Sequence, residues 1–385
     1  MQTPCNSRTK AVPALAALAL IAGLTSQATA AEQAPWRQQA EAAIRKGTVY
    51  LAAAQREDGA FGKRPHPGIT ALCTYALLRS PVPDKEPARS AIEAGLENLR
   101  SFVQEDGSIQ PDRHGVPVYT TSVALLAFDA AGLDRDEPLI RNARQFILEA
   151  QARGEAPEGE TALAGFGYSK GGRPDMSNTQ WAIEALHPTQ EYAEEPLAED
   201  PDAAAQAKAA YEGALAFIKQ CQNAEEDSEN YGGVSYLPQD HKPEGLRQKA
   251  TALVRGRPPE NYGAMTYAAM KTMIYADVDR DDPRVQSALH WIREHYTFEK
   301  NPGQGMNSYF YYIQTCAKAL AALGIPQIAE QSQDWRADLV TALVQRQRDD
   351  GSWQNDVGRH WESDPDLVTA YSLIALETAT QANAD

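Results

Sequence analysis

Cysteine is scarce in this 385-residue sequence, with four in all. Cys5 precedes an apolar run near the N-terminus, and Cys73, Cys221 and Cys316 follow it. An odd number allows at most one internal disulfide, and all three stand in apolar helical contexts where buried thiols are expected. None has the paired spacing of a cysteine-based zinc site. Positive charge is short as well: 36 Lys and Arg stand against 52 Asp and Glu, for a formal net charge of −16. That balance excludes nucleic acid and anionic membrane as default partners. After Leu24 no stretch is long and apolar enough to span a bilayer, so no membrane-spanning segment is expected there. Runs of β-branched residues are missing too, apart from a short hairpin expected at Gly232 to Leu237.

What is present begins with an export signal. Arg8 and Lys10 precede the apolar run Ala11 to Leu24, and Ala28-Thr29-Ala30 is a small-residue cleavage signature. Residues 1–30 therefore read as a secretory signal peptide, and the protein is expected to be periplasmic or extracellular after cleavage.

The remainder, 31–385, is repetitive. "QREDGAFG" at Gln55, "QEDGSIQ" at Gln104 and "QRDDGSWQ" at Gln347 share one frame, and "AGFGYS", "YGGVSY" and "NPGQGMNSY" keep its glycine and an apolar residue. Before each copy lies an amphipathic segment such as "ARSAIEAGLENLRSFVQ", with apolar residues three and four apart. After each lies a shorter segment that is apolar or small all round, such as "TSVALLAF" or "TAYSLIAL". A helix apolar on every side is buried on every side. Each unit is thus a half-exposed helix, a glycine turn and a buried helix, and six units are expected to close into a ring because the terminal units carry no polar caps. An insertion at about 225–260 enters a buried helix and would emerge at the same mouth as a lid.

These motifs, each followed by a Thr-led apolar helix, resemble the Gln-Trp repeats of squalene cyclases and protein prenyltransferase β-subunits, over essentially the whole of 31–385. The resemblance implies an all-α fold, an (α/α)6 toroid of six helical hairpins, in one domain. It also implies signature residues that stand differently here. The cyclase acid motif has a literal match in Asp279, Asp281 and Asp282, but Pro283 follows at a helix start, where aspartates are expected to cap. The prenyltransferase zinc set needs Asp two residues before a Cys, which no later cysteine has, and Gln314 stands where the family places its His. The Cys-Gly-Glu-Gln run of the thioester proteins is absent. No cofactor and no metal is expected.

The motif Gln is expected to bond the turn and the first N–H groups of the next helix. Asp-Gly makes the reversal, and the aromatic fills the gap between hairpins. Thr70, Thr121, Thr179, Thr266, Thr315 and Thr369 are expected to cap the inner helices. Six inner-helix N-termini around one mouth would suit an anion or an extended ligand. The residues placed there are His66, His114, Tyr119, Asp175, Trp181, Tyr262, Tyr309, Tyr312, Gln314, His360, Trp361 and Asp364. Tyr312 and Asp364 are expected to border the site and to be removable without loss of the fold. His66, His114, His360 and Asp364 share the mouth but have no metal-like spacing.

The functional expectation is an exported toroid that binds an apolar or extended ligand, with no protein partner assigned. The alternative is an enzyme of altered chemistry: an isoprenoid cyclase or transferase, or a carbohydrate-active lyase or hydrolase on an α/α barrel. A deep aromatic cavity with a buried carboxylate would favour the enzyme, and a lumen filled by inner-helix side chains a scaffold. If the Asp279 to Asp282 run only caps a helix, Asp281→Asn costs at most about 1 kcal/mol in urea unfolding. A buried Asp281 with a raised pKa would instead restore the cyclase acid.

Overall fold

The computed structural model describes residues 34–81, 86–111, 115–152, 164–192, 201–238, 261–328, 332 and 334–382. The signal peptide, His114 and the part of the insertion at 239–260 lie outside the described residues. Twelve α-helices form six hairpins among the described residues. The outer helices are α1 (Pro35–Ala54), α3 (Ala88–Arg100), α5 (Glu137–Ala150), α7 (Pro201–Cys221), α9 (Pro283–Glu294) and α11 (Trp335–Val344). The inner helices are α2 (Pro67–Arg79), α4 (Pro117–Ala131), α6 (Met176–Leu186), α8 (Gly263–Tyr275), α10 (Tyr309–Leu323) and α12 (Pro365–Gln381).

Each inner helix packs on the next, and α12 returns to α2 while α1 packs on α11 and α12. The ring is closed, as the apolar terminal units imply. Burial follows the two hydrophobic patterns. In α12 every residue from Asp366 to Ala379 is buried, whereas α3 buries only its stripe Ala88, Ala91, Ile92, Gly95, Leu96 and Leu99. No strand occurs among the described residues. The hairpin expected at Gly232 to Leu237 is reduced to one isolated bridge, Gln222 to Val234, in the loop between α7 and α8. Cys73, Cys221 and Cys316 are buried and none is in a disulfide.

The repeated motif turns out to join neighbouring hairpins. Gln55 Nε2 donates to Gly59 O at 3.0 Å and to Ala91 O, on the next outer helix, at 2.8 Å. Gln347 does the same with Gly351 O and Ala43 O, so the sixth unit is tied to the first. The partners are carbonyls rather than the expected helix N–H groups, because the side-chain amide offers donors and the outer helix presents its backbone oxygens to the turn. Asp58 and Asp350 accept from the N–H two residues on. Gly59 has φ +79°, and a Cβ there would stand 2.3 Å from Ala94 O.

The Thr residues are not caps, which corrects that expectation. They lie about one turn inside the inner helices and clip the motif to them. Oγ1 of Thr70, Thr121, Thr179, Thr266 and Thr369 accepts from the N–H of Phe61, Ile109, Phe166, Val234 and Trp353 respectively, at 2.8–3.2 Å. Thr315 departs from this, donating to Tyr311 O. A buried N–H beside a wall of apolar helices needs an acceptor, and a small hydroxyl supplies it without opening the packing.

Asp279 and Asp281 are exposed, between the C-terminus of α8 and α9. Asp282 is the N-cap of α9 and pairs with Arg284, which holds its carboxyl down at about 2. The run is a capping turn on the side away from the inner-helix N-termini.

Gly59→Ala combines a strained φ with a backbone clash and is expected to cost roughly 2 kcal/mol or more. Gln347→Ala, which removes the side-chain donor to Ala43 O and Gly351 O at the closing seam, should cost about 1–3 kcal/mol. Urea unfolding of each variant measures this; a loss under about 0.5 kcal/mol in both would mean the motif does not hold the ring.

Candidate functional site

The inner-helix N-termini do converge on one mouth, but each is already satisfied from within. His66 Nδ1 accepts from Gly68 N in α2. Val118 N of α4 donates to Tyr168 O, and Met176 N of α6 to Tyr236 O. Asp175 accepts from Asn178 N at 2.8 Å and from its Nδ2 at 2.7 Å. In α8, Gly263 N donates to Pro302 O and Ala264 N to Asn301 Oδ1. Glu362 Oε1 accepts from Tyr311 N of α10, and Asp364 from Asp366 N of α12. Three of these caps are carboxylates, so the expected anion site at free helix ends is filled by the chain's own groups.

Inside the mouth the rings form a wall. Trp181 has Tyr119 and Tyr311 at 6.2 Å on either hand, and Tyr311 faces Tyr371 at 6.1 Å. Tyr119 lies beside Tyr371, and Ser177 Oγ and the Tyr311 hydroxyl are 3.1 Å apart. Tyr168, 47 % exposed, stands above them near Tyr236 and Tyr262. Asp175 lies at this rim. Its burial raises the carboxyl to about 6, against the bonds from Asn178 and Tyr236 that favour the anion. Glu362 is buried as well and is raised to about 7, opposed by Tyr311 N and Asn355.

Below Trp181 the lumen is closed by charge. Glu184 on α6 takes hydrogen bonds from Lys271 on α8 and Lys318 on α10, and all three are buried. Both ammonium groups also lie over the Trp181 ring, at 5.6 and 5.7 Å. Burial alone would raise the Glu184 carboxyl, but the two cations outweigh it and bring it to about 2. Deeper still, Glu377 is 1 % exposed and 3.8 Å from Arg79, and burial pushes its carboxyl well up. The lumen is therefore polar and filled at its centre, beneath a funnel-shaped cluster of rings in which Trp181 and Tyr371 are buried and Tyr119 and Tyr311 half-buried.

The sequence-derived candidates divide. Tyr119, Trp181, Asp175 and Tyr262 belong to the funnel. His66, His360, Trp361 and Asp364 gather at the seam between the sixth and first units, where Lys63, Arg64, Gly358 and Ser363 complete an open cleft of about 530 Å3. Tyr309, Tyr312 and Gln314 are buried away from solvent. The Tyr309 and Tyr312 hydroxyls donate to Phe298 O and Thr297 O at 2.6 Å and hold the fifth loop. Asp364, besides its cap, accepts from Lys63 N at 2.7 Å across the seam. Tyr312 and Asp364 thus support the fold, so their joint removal is no clean test of binding. Among the described residues no three His, Cys, Asp or Glu stand close enough to hold a metal.

Sequence reasoning missed Tyr168, Tyr311, Tyr371, Glu362 and the Glu184 group. The last had a signal: "WAIEAL", "AAMKTMI" and "CAKALAAL" each carry one charge in an otherwise apolar helix. A buried charge requires a partner on a neighbour.

Two measurements follow from this site. Glu184→Gln leaves two buried ammonium groups facing a neutral amide and should cost about 3–5 kcal/mol; urea unfolding at pH 7 checks it. The Glu362 carboxyl is raised from 4.5 to about 7, so the folded state binds its proton more tightly than the unfolded chain. Its contribution to stability therefore grows as pH falls through 7 and is lost as pH rises. The stability difference between wild type and Glu362→Gln should shift towards wild type on going from about pH 8 to about pH 5; a pH-independent difference would contradict the raised value.

No family model and no curated protein matches the sequence. Solved structures do. Type II terpene cyclase MstE from Scytonema, in complex with merosterolic acid A, aligns with TM-score 0.56 and 14 % identity over 91 % of this chain and 99 % of that one. The same enzyme with geranylgeranyl dihydroxybenzoate gives 0.55, at 13 % identity, over 91 % and 99 %. The α-1,6-mannanase GH76A of Salegentibacter sp., in complex with α-1,6-mannotriose, gives 0.56, at 9 % identity, over 90 % and 98 %. The closed ring of six hairpins and these alignments over nearly the full length of both chains identify the protein as an α/α toroid, the fold it shares with type II terpene cyclase and GH76 mannanases.

Proposed function

We propose that this protein binds an apolar or extended ligand on the aromatic funnel at its inner-helix mouth, and that it does so outside the cytoplasm. The carrying observation is the contiguous run Tyr119, Trp181, Tyr311 and Tyr371 beneath half-exposed Tyr168, with Asp175 at the rim. Aromatic rings offer their faces to apolar chains, sugar faces and cations alike. The charged plug under Trp181 makes the funnel shallow, which favours a ligand that lies across the mouth over one swallowed whole. Among solved toroids, the terpene cyclase holds geranylgeranyl dihydroxybenzoate and the mannanase holds mannotriose, both extended molecules. The basic N-terminus, apolar run and Ala28-Thr29-Ala30 support export.

A second reading is favoured by Asp175. A carboxyl brought to about 6 is partly protonated near neutral pH, and the adjoining tyrosines shield it. That is the condition for a general acid that delivers a proton to a bound alkene or to a glycosidic oxygen.

Geranylgeraniol and α-1,6-mannotriose serve as probes, read by tryptophan fluorescence on the full chain. At least one is expected to bind, and Tyr168→Ala should weaken it tenfold or more with the unfolding midpoint unchanged. No binding of either probe, together with no ligand in native mass spectra of protein from its source, would sink the reading. If Asp175 is an acid, Asp175→Asn keeps binding and loses turnover; equal turnover removes it from that role.

A further inference from the structure

The cleft at the seam is a second feature, separate from the funnel and independent of whether the funnel holds a ligand. Its wall presents Trp361, 49 % exposed, with the His66 ring tilted against it at 6.1 Å. Trp361 and His360 are consecutive non-glycine residues in the left-handed region, with φ of 70° and 55°. Side chains rarely adopt that backbone, and residues held there cluster at functional sites. The turn is held by Ser308 Oγ to His360 Nδ1 at 2.6 Å and by Asp364 N to Trp361 O at 2.9 Å. A loop that only had to join two helices would not need this conformation. Its effect is to turn a large ring outward over the cleft.

The charge at the cleft runs against the rest of the molecule. The chain carries −16, yet Lys63 and Arg64 line this cleft side by side and Arg359 adjoins it. All three are exposed and among the described residues none pairs with a carboxylate within 4.0 Å, although Lys63 is near enough to favour the Asp366 anion. Burial disfavours the charged form of both histidines, and Arg359 adds to this at His360. The Asp364 carboxylate at the floor is buried and committed to the N–H groups of Lys63 and Asp366.

We propose that this cleft binds an anionic saccharide of the uronic acid class, with one pyranose face on Trp361 and its carboxylate on Lys63 and Arg64. A bare phosphate or sulfate would use the cations and leave the ring idle. A polyene would need enclosure, and this cleft is open and polar. A polymer of high charge density would be repelled by the net charge of the chain. A sugar acid matches the ring face, the two cations and a volume of about 530 Å3, within the usual 300–1,000 Å3 of small-ligand sites.

The test is calorimetric titration of the full chain with trigalacturonate, α-1,6-mannotriose and adenosine monophosphate. Trigalacturonate is expected to bind at least tenfold more tightly than mannotriose, and more weakly as salt is raised. Trp361→Ala should weaken it at least tenfold. The double variant Lys63→Ala, Arg64→Ala should do the same and remove the salt dependence. Tyr168→Ala in the funnel should leave it unchanged. The proposal is overturned if trigalacturonate does not bind or binds no better than mannotriose. It is also overturned if adenosine monophosphate binds more tightly, or if the double variant, whose side chains are exposed, binds as wild type does.

Discussion

The first turn of every inner helix exposes backbone N–H groups that have no partner inside the helix, and in a wall of packed helices they cannot all turn to water. The solution recurs around the ring: the loop of one unit supplies acceptors for the inner helix of the unit before it. Tyr168 O serves α4, Tyr236 O serves α6, Asn301 and Pro302 serve α8, and Glu362 serves α10. At the seam the direction of donation reverses but the tie remains, as Asp364 and Asp366 of the last unit accept from Lys63 N and Gly62 N of the first. For α4, α6, α8 and α10, closing the ring and satisfying the helix start are therefore one interaction, while α2 and α12 are capped by their own His66 and Asp364.

That constraint shapes the mouth. Asp175, Glu362 and Asp364 each accept from an N–H at an inner-helix start, so these carboxylates already occupy helix ends where an anion would bind, and recognition falls to rings and side-chain charge. Rings reach solvent at two places among the described residues of this mouth: Tyr168, above half-buried Tyr119 and Tyr311, and Trp361 at the seam cleft. The buried carboxyls also acquire raised pKa values by the same packing that orders the loops, so the groups best placed for acid chemistry at the rim are ones the fold itself has desolvated.

The lumen shows how far this toroid stands from an apolar pocket. Glu184, Lys271 and Lys318 meet from three adjacent inner helices and press their charge against Trp181. A buried ionic group of this kind is weak evidence for stability but fixes which helices face one another. It also sets the floor of the funnel.

Much of the fold was legible in the sequence because repetition leaves local marks. Glycine with a fixed turn chemistry, stripes three and four apart, and helices apolar on all sides determined six hairpins, their order and their closure. The Asp279 to Asp282 run could likewise be read as a cap from Pro283 alone. What the sequence could not rank was the mouth. His66 and Tyr119 reach it, whereas Tyr309 and Tyr312, in the same kind of position, are buried against the fifth loop. Whether a tyrosine before or within an inner helix faces the opening or the wall depends on the rotation of that helix against two neighbours. The Thr hydroxyls read as caps became clips for the same reason, since their acceptor role depends on a loop brought against them from nine to more than thirty residues away. Local periodicity determined the elements and their ring; only the packing of each helix against its neighbours decided which polar groups were consumed by the fold and which were left to meet a ligand.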